Sequence, residues 1–142
     1  FDDIPKGKQS QKTIVAEPIQ KTIRRKQVFS TIPTEALYKV YKMPGRLENN
    51  YLTCDLISDI LGFGRSALLE KTLIKNSSLF ANCQSYVLGN IDPGLMVITG
   101  KMEKGVAAED AEAELDEIQQ ATNTYLNQDL ASVIYYKCSP ND

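Results

Sequence analysis

The spacing of apolar side chains changes along this chain, and the change limits the folds that the chain can adopt. Apolar and polar residues alternate over residues 26–32 and again over 36–43, as they do in strands with one buried face. From residue 48 the apolar residues recur every three or four positions, which is the period of an amphipathic helix. A chain that begins with strands and continues with helices can bury both by packing the helices against a sheet.

The rest of the sequence extends this pattern. The predicted elements after the opening strands are a helix over 48–62, a helix over 66–75, strands over 80–88 and 95–102, and a helix over 106–120. Glycine, asparagine, aspartate and proline fill residues 89–94, so the two later strands form a hairpin. The gap at 33–35 is short enough to pair the first two strands as well. The order β-β-α-α-β-β-α predicts an α+β fold, an antiparallel sheet with helices packed on one face.

The first predicted helix has a broad apolar surface. Its apolar residues at three- and four-residue steps are Tyr51, Leu52, Leu56 and Ile60, with Ile57 and Leu61 widening the stripe. We expect this stripe to face the sheet.

The composition excludes several functions. The sequence has no histidine, which rules out a serine–histidine triad, an imidazole base and a histidine-ligated zinc within this chain. The net charge of −2 argues against nucleic acid as a partner, and no apolar run approaches the roughly 20 residues of a membrane helix. The cysteines Cys54, Cys83 and Cys138 lie far apart, which favours small buried side chains over a disulfide or metal set.

Charge is unevenly divided along the chain. Residues 1–46 hold ten basic and four acidic residues, a net +6, whereas residues 47–142 hold six basic and fourteen acidic residues, a net −8. The densest basic segment is Arg24, Arg25 and Lys26. Two interpretations stay open: a solvated strand edge, where basic residues discourage edge-to-edge pairing, or a salt contact with the acidic part.

Three polar features could carry chemistry, and each has a simpler explanation. The acids of the third helix are Glu109, Asp110, Glu112, Glu114, Asp116 and Glu117, and their distribution around the helix favours a solvated face over a cation site. Asp55 and Asp59 could form an acid pair, although helix capping or polar contacts with loops explain them better. The glycines at residues 62–66 match neither phosphate-binding motif and favour a tight joint between two helices.

Several segments, in their order and spacing, resemble a known family. They are FDDIP at residues 1–5, PTEALYKVYKMPGR at 33–46, DLISDILG at 55–62, GRSALLEK at 64–71 and SYVLGNIDPGL at 85–95. Together they resemble the second half-domain of insulinase-type zinc proteases, the group of pitrilysin and mitochondrial processing peptidase, in its bacterial single-chain form. The resemblance covers residue 1 to about residue 120.

The resemblance implies an organisation and a function. In that family two homologous α+β halves enclose a chamber; the first half binds zinc through an H-x-x-E-H motif, and the second is usually metal-free and closes over an extended peptide. This chain would then be the non-catalytic half-domain, with no cofactor of its own, and its partners would be the zinc-binding half of the same parent chain and a peptide substrate. Residues 1–22 would be the linker between the halves, and residues 23–142 the half-domain, incomplete at its C-terminal end.

The resemblance also bears on individual residues. Many members supply an arginine and, seven positions later, a tyrosine to hold the substrate backbone, and those positions are Ile74 and Ala81 here. No catalytic, metal-binding or substrate-binding residue is therefore carried over, and a passive chamber wall is expected. Leu79, Phe80 and Tyr86 are candidates to face the chamber or an interface.

The end of the chain departs from the family pattern. Residues 130–136 are predicted as an apolar, unpaired strand, which would favour a homodimer that covers it.

A different class of function stays open. The chain could be a free-standing α+β module that holds a partner peptide along a sheet edge, without a peptidase partner. The start at Phe1, without an initiator methionine, favours a piece of a longer parent chain. Reading the parent gene upstream for an H-x-x-E-H motif separates the two hypotheses.

Overall fold

A five-stranded sheet carries helical segments on one of its faces. The structure, a computed structural model, describes residues 7, 15, 17–120 and 132–138. The strands are β1 Arg24–Ser30, β2 Ala36–Met43, β3 Phe80–Leu88, β4 Gly94–Met102 and β5 Ser132–Cys138. The helical segments are α1 Tyr51–Gly62, α2 Glu70–Asn76, which has π-helical turns, and α3 Ala108–Gln120. The predicted α+β fold is confirmed, and all three predicted helices are present.

The order of strands in the sheet is β1-β5-β2-β4-β3. The expected direct pairing of β1 with β2 is wrong, because β5 lies between them, parallel to β1 and antiparallel to β2. Val133 of β5 consequently stands in register between Arg25 of β1 and Lys39 of β2. The predicted strand near the end of the chain exists, but it is paired along both edges. The reason given for a homodimer through that strand therefore does not hold.

The core lies between the helices and the face of the sheet that carries Leu37, Tyr41 and Met43. Its buried members from the other elements are Leu61, Leu69, Leu73, Phe80, Cys83, Met96, Ile98, Met102, Ala108, Ala111 and Leu115. Residues two apart along a strand share a face, so the alternation seen in the sequence places these side chains on the same side.

Helix α1 packs on β3 with only part of the predicted apolar stripe. Ser58 and Leu61 are buried against the sheet, whereas Leu52, Leu56 and Ile60 are exposed. Both sides of this helix are apolar, so periodicity alone could not distinguish the inner side from the outer one.

The segment before β1 is partly described. The Lys42 ammonium donates to the Pro18 carbonyl at 3.4 Å and forms an ion pair with Glu17 at 2.9 Å. Residues 1–6, 8–14 and 16 of the predicted linker lie outside the described residues. Within the described part, no helix has the length and apolar character needed to cross a membrane.

Candidate functional site

The candidate site is the outer edge of β3, at one end of the sheet. Among the described residues no strand lies beyond β3. The strand is nine residues long, FANCQSYVL, and none of its side chains is charged. A long uncharged edge leaves backbone N–H and C=O groups available to another extended chain.

The opposite edge of the sheet, β1, has different chemistry. Its first three residues are Arg24, Arg25 and Lys26, all exposed. The Arg25 guanidinium also donates from Nη2 to Glu112 Oε1 of α3 at 3.0 Å. Both interpretations of the basic segment are thus realised, a strand edge and a salt contact with the acidic part. Charged side chains oppose the addition of a further strand, so the two edges are not equivalent.

Helix α1 holds β3 in place. The Ser58 and Ser85 hydroxyls are hydrogen-bonded at 3.0 Å. At Gly62 an added Cβ would lie 2.1 Å from the backbone nitrogen of Ser85, so only glycine allows the helix to approach this closely. The edge of β3 is therefore fixed by contacts on its inner face.

The predicted chamber-facing residues are divided between the core and the surface. Phe80 is 1% exposed and belongs to the core, so it offers no surface to a chamber or a partner. Leu79 packs partly against the core, and Tyr86 is 37% exposed on the outer face of β3. Ile74 is half-buried in α2, whereas Ala81 is exposed at a break in the β3–β4 register. Ile74 therefore lies six residues before β3 begins, and Ala81 is the second residue of that strand.

A second cluster of polar groups was not found from the sequence. Lys39 of β2 is fully buried on the core face and forms an ion pair with Asp116 of α3. One turn earlier on α3, Glu112 is buried and accepts hydrogen bonds from Arg25. The two pairs bridge α3 to β2 and β1, on either side of β5. The expectation that these acids form only a solvated face is wrong for Glu112 and Asp116.

The titration of this cluster follows from its burial. Desolvation lowers the pKa of Lys39 to about 8, with the charge of Glu112 acting in the opposite direction and Arg25 adding to the decrease. Burial, with a smaller effect of Glu112, raises the pKa of Tyr41. The sequence signal that could have identified Lys39 is its place between Leu37 and Tyr41 in the alternation, on the buried side.

The remaining candidates show no assembled chemistry. Asp59 is exposed and Asp55 half-buried, one turn apart on α1. Cys83 is buried, which raises the pKa of its thiol to about 12, and Cys54 is half-buried; both are free. The side chain of Cys138 lies outside the described residues. In the described part of the chain, no group of three or more acidic or cysteine side chains could hold a metal ion.

Comparison with known proteins identifies the family. The sequence profile of the peptidase M16 inactive domain matches residues 1–130. The chain belongs to the M16 inactive-domain family. Comparison of this M16 domain with curated protein sequences finds no match. The resemblance to the second half-domain of insulinase-type zinc proteases is thereby confirmed, and so is the non-catalytic character predicted for the chain.

Solved structures show the same fold. A protease from Helicobacter pylori matches with a TM-score of 0.74 at 17% identity, over 91% of this M16 domain and 48% of that chain. A peptidase M16 inactive domain from Pseudomonas fluorescens matches with a TM-score of 0.66 at 14% identity, over 90% of this M16 domain and 46% of that chain. Pitrilysin matches with a TM-score of 0.56 at 13% identity, over 85% of this M16 domain and 14% of the pitrilysin chain. The chain thus spans about half the length of the first two structures.

Proposed function

We propose that this M16 inactive domain is the non-catalytic half of a two-part zinc peptidase and that it closes the chamber over an extended peptide. Zinc would be held by the partner half, since this chain has no histidine. Residues 1–22 would link the halves, and residues 23–142 would form the half-domain. The partners are then the zinc-binding half of the parent chain and the peptide substrate.

The open, uncharged edge of β3 is the observation that supports this proposal. An extended peptide can add to a sheet edge through main-chain hydrogen bonds, with alternate side chains directed to each face. Of the two edges, β1 is protected by Arg24 and Lys26, whereas β3 has no such protection. We therefore assign peptide contact to β3.

The chain would act by positioning the peptide and not by chemistry. Ile74 and Ala81 have no side-chain donor, so they cannot hold a peptide carbonyl as arginine and tyrosine would. Contact would come from the backbone of β3 and from exposed side chains such as Tyr86 and Leu88. A wall of this kind orders the peptide for reaction at a zinc site on the other half.

Amide hydrogen exchange with a model peptide tests the assignment. The probe is an uncharged nine-residue peptide that alternates threonine and valine, and the control is the same peptide with every second amide N-methylated. We expect the first peptide to slow exchange at alternate β3 amides by fivefold or more and to leave β1 unchanged. Protection of β1, or equal protection by the N-methylated peptide, would contradict the proposal.

A pair of matched variants sharpens the test. Gln84→Lys places on β3 a charge like those on β1 and should remove the protection. Gln27→Lys makes the same change on the opposite edge strand, where Gln27 is exposed, and should leave β3 protection unchanged.

The free-standing module is the competing function. It would use the same β3 edge, so peptide binding alone does not separate the two. The coding sequence upstream does: an H-x-x-E-H motif in the same reading frame supports the peptidase half, and a stop codon immediately before Phe1 supports the module.

A further inference from the structure

Helix α1 carries a line of apolar side chains on the side away from the sheet. Leu52, Leu56, Ile60 and Phe63 are 75%, 62%, 60% and 80% exposed. Leu52, Leu56 and Ile60 are spaced four residues apart on α1, so they lie along one line roughly 12 Å long, and Phe63 follows directly after the last residue of the helix, in extended backbone. We call these four residues the α1 stripe. Isolated exposed apolar residues are ordinary, but a contiguous patch marks an interaction surface.

The position of the α1 stripe separates it from the β3 edge. At about 100° per residue the stripe lies opposite Ser58 and Leu61, which are buried against the sheet. Docking on the stripe would therefore leave the contact of α1 with β3 undisturbed, and this surface goes beyond the function proposed for β3.

The charges beside the α1 stripe define its partner. Asp55 and Asp59 lie along one side of the stripe, and α1 has no basic residue. A second copy packed antiparallel to α1 about a two-fold axis would bring these aspartates near their own counterparts, which is unfavourable. An apolar surface flanked by basic residues would gain both apolar burial and complementary charge. We propose that the α1 stripe is a docking site for an amphipathic helix of another domain, with leucine-type residues on one face and lysine or arginine beside them.

Two designed peptides test this proposal on the chain itself. Both are 18-residue amphipathic helices with the same leucine face; one carries lysines beside it and the other glutamates. We expect the lysine peptide to bind with micromolar affinity by calorimetry and the glutamate peptide at least tenfold more weakly. Equal affinity of the two peptides, or binding of neither, would overturn the proposal.

Variants locate the binding. Leu56→Ser should weaken binding of the lysine peptide at least tenfold, whereas Leu88→Ser, the same change at an exposed leucine of β3, should leave that binding unchanged. If Leu56→Ser leaves the affinity unchanged, the α1 stripe is not the site. Leu88 belongs to the β3 edge that we assign to substrate peptide. The two variants therefore distinguish a failure of the docking proposal for the α1 stripe from a failure of the function proposed for β3. Circular dichroism checks that both variants fold.

Removing the two aspartates beside the α1 stripe tests whether their charge selects the peptide. The double variant D55N/D59N should bring the two peptides to within threefold of each other in affinity. The variant E109Q/E117Q removes the same charge from exposed positions of α3 and should keep the preference for lysine. An equal loss of preference in both variants would mean that net charge, and not the α1 stripe, selects the peptide.

Two results would show that something other than a basic helix binds the α1 stripe. Concentration-dependent association of the chain alone that Leu56→Ser abolishes would identify a second copy and overturn the proposal. Binding to phosphatidylcholine vesicles that depends on Leu56, without binding of the lysine peptide, would identify a lipid surface and overturn it as well.

Discussion

Replacing Asp116 by asparagine tests the buried charge cluster most directly. The substitution keeps the size of the side chain but leaves the Lys39 ammonium, which is fully buried, without its ion-pair partner. Breaking a buried pair by removal of one partner typically costs about 3–5 kcal/mol. The loss of stability cannot exceed the free energy needed to deprotonate Lys39, because in the variant Lys39 can lose its proton instead of staying charged. This upper limit depends on pH.

The upper limit follows from the pKa of Lys39, which is about 8 in the folded chain. Removing its proton costs about 1.4 kcal/mol for each pH unit below that value. The expected loss of stability from Asp116→Asn is therefore about 3–4 kcal/mol at pH 5.5, about 1 kcal/mol at pH 7, and close to zero at pH 9. In the wild type, stability should rise between pH 8 and the ordinary lysine pKa of 10.5, because over that range Lys39 is protonated in the unfolded chain but not in the folded one.

Urea unfolding followed by circular dichroism, at pH 5.5, 7 and 9, measures this difference. Tyr41 and Cys83 are present in both proteins, so to first order their own titrations cancel in the comparison. Glu117→Gln changes an exposed acid on the same helix and should stay within about 0.5 kcal/mol of wild type at every pH. A loss of stability for Asp116→Asn that does not change with pH would refute the reasoning.

Four further predictions concern packing, surface charge, metal and association. Gly62→Ala should destabilise the chain by about 1–3 kcal/mol or more in urea unfolding, because the added Cβ would collide with the β3 backbone. Gly64→Ala should cost about 1–2 kcal/mol, because the site has open space but a positive φ. If Gly62→Ala costs no more than Gly64→Ala, the collision at Gly62 is not supported. Arg25→Ala should cost about 1 kcal/mol or less, decreasing with added salt, because half of the Arg25 side chain is exposed; a salt-independent loss would indicate a buried contact. The purified chain should hold no stoichiometric zinc and cleave no peptide, and tight zinc with chelator-sensitive cleavage would overturn its non-catalytic assignment. Self-association stays a prediction, now through the β3 edge: light scattering at micromolar concentration should show a dimer that Gln84→Lys converts to monomer, and a wild-type monomer would exclude it.

Local sequence determined most of the elements. The hairpin of β3 and β4 and the helices α1, α2 and α3 follow from apolar periodicity and from turn residues, which act over a few positions. The missing histidine excluded a histidine-ligated zinc site within this chain, and the order of several short segments predicted the family. None of these inferences requires knowledge of which elements touch.

The tertiary structure decided the features that depend on distant partners. β5 separates β1 from β2, although it follows them by about ninety residues, because pairing is chosen by the whole sheet and not by the length of a loop. Lys39 looked like an ordinary polar residue of a strand until α3 placed Asp116 against it. For α1, both sides were apolar, and only the contact with β3 showed that Leu61 is buried while Leu56 is exposed. Periodicity records that a side chain is apolar, but burial depends on what packs above it.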